Sequence, residues 1–345
     1  MANQVEPREV REAEDLVRSI FDIGPDHDVL LFQAEAVALL EAVARSLAVP
    51  GGAVGAVLTS VYGEDMALWG EASAARVRRL DLLDARRAVT VAEAEHLAGL
   101  AGPGAGHAAG TLVVVQGEAL TGVVNPVDAI AARLAGSGTT LLVDSVSSVG
   151  AEPFRPRQWG RAASVIGFQK AMGGPAGVSV VVLDRALWAD VEANPSAPRH
   201  SFLSLLDLRE RWLDAGRAEL AVAPNSEEVR ALNAALHRVD ACGIEAVEAQ
   251  HAAARDQARG IVRALDGVTL AVGDADASGI ATTFTLDDPA RPRAGLLAGL
   301  AAAGVTGLKT GPGEHLVRWM HYDQDALPAA VEAAGDALRA VLHAR

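Results

Sequence analysis

Two short apolar runs near the middle of the chain constrain the fold most strongly, because each ends in a polar residue that can do chemistry. Residues 141–143 run directly into Asp144, and residues 165–168 run into Gln169 and Lys170. Runs of this length, rich in Val, Ile and Leu, are typical of strands buried on both faces of a parallel sheet. Ligands bind beside the carboxyl ends of such strands. We therefore expect Asp144 and Lys170 to face one cleft.

The first part of the chain alternates between strand-like and helix-like patterns. Strand-like runs lie at 29–32, 54–59, 111–116 and, after a glycine-rich turn, 178–183. Apolar residues recur at helical spacing in the segments 7–21, 33–47, 64–76, 91–100 and 126–134. This alternation predicts an α/β fold in which right-handed crossovers place helices on both faces of a mostly parallel sheet.

The pattern changes after residue 183. Helical patterns at 186–192, 203–213 and 227–262, the last broken near Gly243, are followed by mixed elements: strands at 268–272, 280–286, 305–308 and 315–320, and helices at 294–302 and 326–342. Such a mixture predicts a smaller α+β domain packed against the first. We place the boundary at Asn225, which gives a large domain over 1–225, with a short N-terminal helical arm, and a small domain over 226–345.

Composition excludes several classes of protein. Half of the 345 residues are hydrophobic, so the chain can bury a substantial core. Its net charge of −14 argues against nucleic acid and against an anionic membrane as partners. The single cysteine, Cys242, cannot form an internal disulfide, no apolar run suits a membrane helix, and the amino terminus does not resemble a signal peptide. We expect a cytoplasmic protein that binds small molecules.

The glycine-rich segment 102–106 and the histidines indicate no further functional site. The glycine-rich segment 102–106 precedes a strand instead of following one, which favours a surface loop over a phosphate-binding turn. The nine histidines show no metal-ligand spacing, so we expect no metal. No G-x-S-x-G motif indicates a hydrolase.

Lys170 is the residue with the clearest chemical meaning. Basic residues in this chain are almost all Arg, and only Lys170 and Lys309 are lysines. A lysine that follows a buried strand is partly desolvated, which lowers the pKa of its amine and suits it to a Schiff base; the alternative is a solvated surface lysine. Pyridoxal phosphate needs such a lysine together with a carboxylate that keeps its ring nitrogen protonated. Asp144 can supply that carboxylate.

Five segments together resemble one known family. They are SVYGED at 60–65, QGEALTGVVNP at 116–126, VDSVSSVG at 143–150, GFQKAMGGPAGVSVVVLD at 167–184, and LVRWMHYDQDALPAAVEAAGDAL at 316–338. These segments resemble the fold-type I pyridoxal-phosphate enzymes of class V, the alanine/serine-glyoxylate aminotransferase group, from about Leu30 to the end of the chain. The resemblance implies a homodimer in which residues of both chains line each active site.

The resemblance also implies roles for individual residues. Lys170 would form the Schiff base with the cofactor aldehyde and then shuttle a proton, and Asp144 would pair with the pyridine nitrogen. Tyr62 and Val146 would cover the two faces of the ring, and Arg318 would bind the substrate carboxylate. The cofactor is also expected to contact Gln169, Thr121 and the segment Glu35-Ala36-Val37. The substrate is expected to contact Trp319 and His321.

Departures from the family pattern lie around the phosphate and the substrate. Where the family has a Ser-Gly-[Thr/His] turn at a helix amino terminus, this chain reads Glu35-Ala36-Val37. A carboxylate about 4 Å from a phosphate would cost several kcal/mol per charge pair at an effective dielectric near 20. Ala119 replaces a substrate-side serine, and 222–225 replaces a T-x-P segment that reaches the partner chain.

These observations lead to three functional hypotheses. The first is a pyridoxal-phosphate-dependent aminotransferase that moves an amino group between a small amino acid and a 2-oxo acid. The second is a lyase that keeps the cofactor but performs β-elimination, or related chemistry at the Cα carbanion, on a modified amino acid. The third is a degenerate homologue that binds a ligand without turnover, and it rests on Glu35 and Val222.

Overall fold

The structure is a computed structural model that describes residues 5–100, 110–220, 222–288 and 292–343. The glycine-rich segment 102–106, which the sequence predicts to be a surface loop, lies outside the described residues. Within those four ranges, no helix combines the length and the apolar character that crossing a lipid bilayer requires.

A seven-stranded sheet forms the centre of the large domain. Its strands are β1 (His27–Phe32), β2 (Ala53–Leu58), β3 (Arg76–Asp81), β4 (Thr111–Val115), β5 (Thr140–Asp144), β6 (Ala162–Gly167) and β7 (Ser179–Asp184). Their order across the sheet is β1-β7-β6-β5-β4-β2-β3. The block from β6 to β3 is parallel, whereas β7 runs antiparallel to both of its neighbours. The predicted α/β fold with a mostly parallel sheet is confirmed.

Two strands differ from the sequence prediction. The sequence places 178–183 among the parallel strands, but β7 is antiparallel because its connection to β6 is too short for a crossover helix. The predicted helix over 64–76 ends earlier, and β3 begins at Arg76. β3 reads RVRRLD and is largely exposed, which is typical of a charged edge strand. It has no apolar run that would reveal it in the sequence.

The helices between these strands are α1 (Pro7–Ile20), α2 (Ala36–Leu47), α3 (Val61–Ala72), α4 (Val91–Leu100), α5 (Val127–Leu134), α6 (Leu187–Ala193) and α7 (Leu205–Leu208), the last continued by a π-helical turn over Arg209–Leu213. In α2, Leu39, Val43 and Leu47 recur every fourth residue and are buried, so one stripe of the helix faces the core. The buried strands and these helix faces form one continuous apolar core.

The remaining elements form a second layer with its own core. They are α8 (Ser226–Cys242), α9 (Ile244–Arg263), β8 (Val268–Leu270), β9 (Ala281–Leu286), α10 (Arg293–Ala302), β10 (Leu308–Thr310), β11 (Leu316–Met320) and α11 (Pro328–His343). The four strands form an antiparallel sheet in the order β10-β11-β9-β8. Val229 and Leu232 of α8 belong to the core of the large domain. The domain boundary predicted at Asn225 stays a prediction, and α8, which follows it, packs on the large domain.

Two backbone carbonyls after β4, those of Thr121 and Gly122, connect the small sheet to the large domain by hydrogen bonds. The Oγ1 of Thr283 in β9 donates a 2.8 Å hydrogen bond to the carbonyl of Thr121, and the amide of Ser278 donates to the carbonyl of Gly122 at 2.9 Å. Gly122 has φ +77°, and a Cβ there would lie 3.0 Å from Thr283 Oγ1, so only glycine suits this approach. This junction holds the face of the small sheet that carries Arg318 beside the carboxyl ends of β4 and β5.

Candidate active site

Asp144 is a buried carboxyl at the end of β5. It is 3% exposed, and its Oδ1 accepts a 2.9 Å hydrogen bond from the amide of Val146. Burial raises the pKa of Asp144, while that hydrogen bond and the nearby Lys170 act in the opposite direction. A carboxylate held here needs a cationic or N–H partner, because a buried charge without one is costly. The protonated nitrogen of a pyridine ring is such a partner.

Lys170 follows β6, the parallel neighbour of β5. Its Nζ lies 2.5 Å from the Oγ of Ser147 and 5.9 Å from the centre of the Tyr62 ring. Burial lowers the pKa of Lys170, against the charges of Asp144, Glu118 and Glu35, which raise it. A lower pKa increases the fraction of neutral amine, which is the nucleophilic form. The prediction that Asp144 and Lys170 act at one cleft stays a prediction, and this geometry supports it.

The end of β6 brings together several residues that the sequence predicts to contact the cofactor. A Cβ at Gly167 would lie 2.6 Å from Gln169 Oε1, 2.9 Å from Val146 Cγ1 and 3.5 Å from Ala36 Cβ. Gln169, Val146 and Ala36 therefore converge on one point that only glycine leaves open. The Oε1 of Gln169 is buried without a hydrogen-bond partner among the described residues, so it can accept a hydrogen bond from a ligand.

The amino terminus of α2 is the place where the family holds a phosphate. Glu35 is its N-cap residue, and the Glu35 side chain makes no capping hydrogen bond. This side chain is exposed, as is that of Val37. The charge of Glu35 acts on the pKa of Asp144, Lys170 and Tyr62, so it lies within electrostatic reach of the cleft. The residues at this cleft fit a pyridine ring, but the described residues 33–38 around the α2 terminus offer no hydroxyl or cation for a phosphate.

Glu118 is a fully buried carboxyl in the segment 116–126, and the sequence predicts no role for it. Its Oε1 accepts a 2.8 Å hydrogen bond from Thr59 Oγ1, and Asn125 Nδ2 donates to the same Thr59 hydroxyl. Burial raises the pKa of Glu118 to about 7. The Thr121 hydroxyl donates to the Thr59 carbonyl at 3.1 Å. The cofactor contact expected for Thr121 stays a prediction. In this structure the Thr121 hydroxyl is part of the hydrogen-bond network around Thr59.

β11 directs Arg318 and its neighbours to opposite sides of the small sheet. Arg318 Nε donates to the carbonyl of Thr310 at 2.8 Å, and no carboxylate of the described ranges lies within 4.0 Å of its guanidinium. Trp319 lies in the apolar core of the small sheet. His321 is fully buried and its Nε2 lies 3.0 Å from Thr282 Oγ1. The substrate contacts predicted for Trp319 and His321 stay predictions, and this geometry does not support them, because successive residues of a strand face opposite sides.

Two further residues near the cleft were not predicted from the sequence. Ser147 contacts the amine of Lys170 directly, and Tyr322 lies within electrostatic reach of Arg318, whose charge acts to lower the pKa of the Tyr322 phenol. The period of two along β11 was a usable signal for Tyr322, because the side that holds Arg318 also holds every second residue after it. No comparable signal distinguished Ser147 from the other serines of its segment.

The aminotransferase class-V family profile matches residues 3–308. The chain belongs to the class-V aminotransferase family. This membership confirms the predicted family and the predicted enzyme class. The protein is an aminotransferase of the pyridoxal-phosphate-dependent group, and its reaction interconverts an amino acid and a 2-oxo acid by transfer of an amino group.

Several characterised relatives resemble this aminotransferase. It is 30% identical over 319 residues to a pyridoxamine–pyruvate transaminase of Mesorhizobium japonicum, an alignment that covers 90% of this chain and 79% of that protein. The structure of pyridoxamine–pyruvate aminotransferase from Mesorhizobium loti matches with a TM-score of 0.87 and 26% identity, over 98% of this chain and 84% of that one. Alanine–glyoxylate aminotransferase from a Nostoc species shares the fold, with a TM-score of 0.86 at 19% identity, over 98% and 87%.

Proposed function

We propose that this aminotransferase takes up its pyridoxal-type ring without a phosphate and uses it as a substrate. Pyridoxamine donates its amino group to pyruvate, and pyridoxal and L-alanine are released. The relative that aligns over 90% of the chain carries that activity in its name. The alternative is the resident cofactor predicted from the resemblance, pyridoxal 5′-phosphate, with a small amino acid and a 2-oxo acid exchanging at the same cleft.

The observation that carries this proposal is the position of Glu35. A helix amino terminus attracts phosphate through its free N–H groups and its dipole. The Glu35 carboxylate stands at that terminus without a capping bond and repels a phosphate that approaches it. The hydroxymethyl group of an unphosphorylated ring carries no charge, and its hydroxyl can donate a hydrogen bond to the same carboxylate. Glu35 therefore favours pyridoxamine over its phosphate ester.

Each residue of the cleft has a separate role in the proposed amino transfer. When bound, the ring supplies an electron sink for the electrons left behind when a proton leaves the neighbouring carbon. Asp144 accepts a hydrogen bond from the ring nitrogen and keeps that nitrogen protonated. Lys170 is placed to move a proton between the ring-side carbon and the 2-carbon of the acid, since its lowered pKa makes the neutral amine available. Arg318 binds the carboxylate of the 2-oxo acid through its planar guanidinium.

The test compares two amino donors with pyruvate as acceptor. We expect purified protein to form L-alanine from pyridoxamine with a kcat/KM at least about tenfold higher than from pyridoxamine 5′-phosphate, and Lys170→Ala to abolish both reactions. A preference for the phosphorylated donor, or retention of the ring through many turnovers of small amino acids, overturns the proposal in favour of the resident cofactor.

The same assay distinguishes the other two hypotheses. Release of a 2-oxo acid from a modified amino acid, with no amino group passed to the acceptor, would indicate a lyase. Failure to bind either form of the ring would indicate a homologue without turnover. Formation of L-alanine from pyridoxamine contradicts both of these readings.

We also propose that the protein works as a homodimer in the cytoplasm. Phe202 and Val222 are each about half exposed, at 52% and 51%, and both line an apolar groove of about 400 Å³ next to Gln33. Gln33 lies two residues before Glu35, so a second chain on this groove would reach the mouth of the cleft. The exposed free thiol of Cys242 suits a reducing compartment. Light scattering of the purified protein tests the dimer.

A further inference from the structure

The side of the small sheet that faces the cleft extends beyond the end of β11. Between β11 and β9, Arg318 pairs with Thr283 and Met320 pairs with Ala281. The side chains of these residues therefore lie on the same side of the small sheet. The pairing continues for one more residue, since the amide of His321 donates to the carbonyl of Ile280 at 2.9 Å. Alternation then places Tyr322 on the side of Arg318, opposite to His321.

The Tyr322 ring lies against a patch of small side chains. It packs on the buried cluster of Ala119, Ala151, Ala171, Ile280 and Ala281. Ala171 directly follows Lys170, and Ala119 directly follows Glu118. The ring therefore packs against the residue that follows Lys170, and the alanines leave room for a ring that larger side chains would exclude.

The polar end of Tyr322 is available to a ligand. Burial raises the pKa of the phenol to about 12, against the positive charge of Arg318, so the hydroxyl stays neutral throughout the physiological range. No residue in the described ranges forms a hydrogen bond with this hydroxyl, although the Tyr322 backbone carbonyl accepts one from the amide of Asp325. The side chain is partly exposed and has one face on the alanine patch.

We infer that Tyr322 is a specificity-determining residue, which limits the substituent at the 2-carbon of the 2-oxo acid to about the size of a methyl group. The carboxylate of the acid is held at Arg318 and its 2-carbon must reach Lys170. The substituent of that carbon then points towards the space beside Ala171, which the Tyr322 ring fills. This inference rests on the proposed transfer to a 2-oxo acid, and it holds for either form of the pyridoxal ring.

The experiment measures kcat/KM for pyruvate, 2-oxobutyrate and 2-oxovalerate with one amino donor. In the native protein each added methylene should lower kcat/KM at least about tenfold, the size of effect that a closed pocket produces. Tyr322→Ala should raise the 2-oxovalerate/pyruvate ratio at least about tenfold, because the ring no longer blocks the longer chain. Tyr322→Phe, which keeps the ring and loses the hydroxyl, should leave the ratio within about threefold of the native value.

Two controls separate a pocket effect from a folding effect. Trp319→Phe changes an aromatic ring on the opposite side of the same strand, and it should not change the ratio. Tyr322→Leu keeps an apolar contact with the alanine patch and replaces Tyr322→Ala if the latter does not fold.

Two outcomes overturn the inference. One is a soluble Tyr322→Ala or Tyr322→Leu variant that turns over pyruvate with the native ratio, and the other is a Tyr322→Phe variant that shifts the ratio as far as Tyr322→Ala does. Failure of the native protein to transfer an amino group to any 2-oxo acid is a different result. It refutes the proposed function itself, and the inference with it.

Discussion

Replacement of Glu35 by serine should convert the amino terminus of α2 into a phosphate site. The substitution removes the carboxylate at the N-cap position. It supplies serine, which is one of the residue types that cap helices best. Because Glu35 makes no capping hydrogen bond, its removal costs the helix little. The amide groups of the first turn are then free to bind an anion without a competing negative charge.

The size of the effect follows from Coulomb's law. Two unit charges about 4 Å apart repel by about 1 kcal/mol in bulk water and by about 4 kcal/mol at an effective dielectric of 20. Glu35 is exposed, so the repulsion lies towards the lower value, and a phosphate ester carries between one and two charges. The repulsion is therefore about 2 kcal/mol. At 1.4 kcal/mol for each factor of ten, the relative affinity for the phosphorylated ring should rise roughly 30-fold.

The assay is the ratio of dissociation constants for pyridoxal and pyridoxal 5′-phosphate, measured by equilibrium dialysis on native protein and on Glu35→Ser. The matched control is Glu41→Gln, which removes a carboxylate from the same helix. That carboxylate is already paired with Arg45 at 3.1 Å, so we expect an unchanged ratio. A Glu35→Ser ratio within about threefold of the native ratio would refute the electrostatic account of Glu35.

Three other predictions concern the remaining parts of the cleft and the stability of the fold. Arg318→Lys should raise KM for the 2-oxo acid about tenfold or more in steady-state kinetics, because an ammonium cannot bind a carboxylate in bidentate fashion. Ser147→Ala should speed borohydride trapping of pyridoxal on Lys170 by up to roughly tenfold near neutral pH, because the lost hydrogen bond stabilises the charged amine. An unchanged rate contradicts an effect of Ser147 on the pKa of Lys170. Burial raises the pKa of Glu14 to about 7, so its folded form binds a proton that the unfolded chain releases near 4.5. The unfolding free energy should therefore fall between pH 5 and 7 by at most about 1.4 kcal/mol per pH unit for this group, and Glu14→Gln should reduce that slope in urea titrations.

The part of the site that could be predicted from the sequence lies at the ends of buried strands. A strand buried on both faces must be apolar throughout, so the first polar residue after it marks the edge of the sheet. Asp144 stands in that position after the run 141–143, and Gln169 and Lys170 follow the run 165–168; β5 and β6 are neighbours. The apolar runs therefore predicted the mostly parallel sheet, and the cleft that they indicate stays a prediction.

The errors have equally physical causes. β3 is an edge strand with exposed arginines, so burial leaves no pattern in its sequence. The substrate contacts of Trp319 and His321 stay predictions that the geometry does not support, because β11 is a strand and adjacent residues of a strand face opposite sides. The same alternation places Tyr322 on the side of Arg318. The network around Glu118 joins residues that are far apart in sequence, such as Thr59, and no local pattern predicts such a contact.

The residues that hold the ring and the residues that choose its partners are constrained differently by the fold. Asp144 is tied down by the packing of β5 and by the amide of Val146, so a substitution there disturbs a buried carboxyl in the core. Glu35 makes no capping bond, and Tyr322 makes no side-chain hydrogen bond within the part of the chain that the structure describes. Substitution of Glu35 therefore disturbs few contacts, and substitution of Tyr322 disturbs mainly its packing on the alanine patch. With the roles proposed above, phosphate affinity at Glu35 and substrate size at Tyr322 can change while Asp144 and Lys170 are retained, because the Glu35 side chain and the Tyr322 ring do not share the hydrogen bonds that hold Asp144 and Lys170.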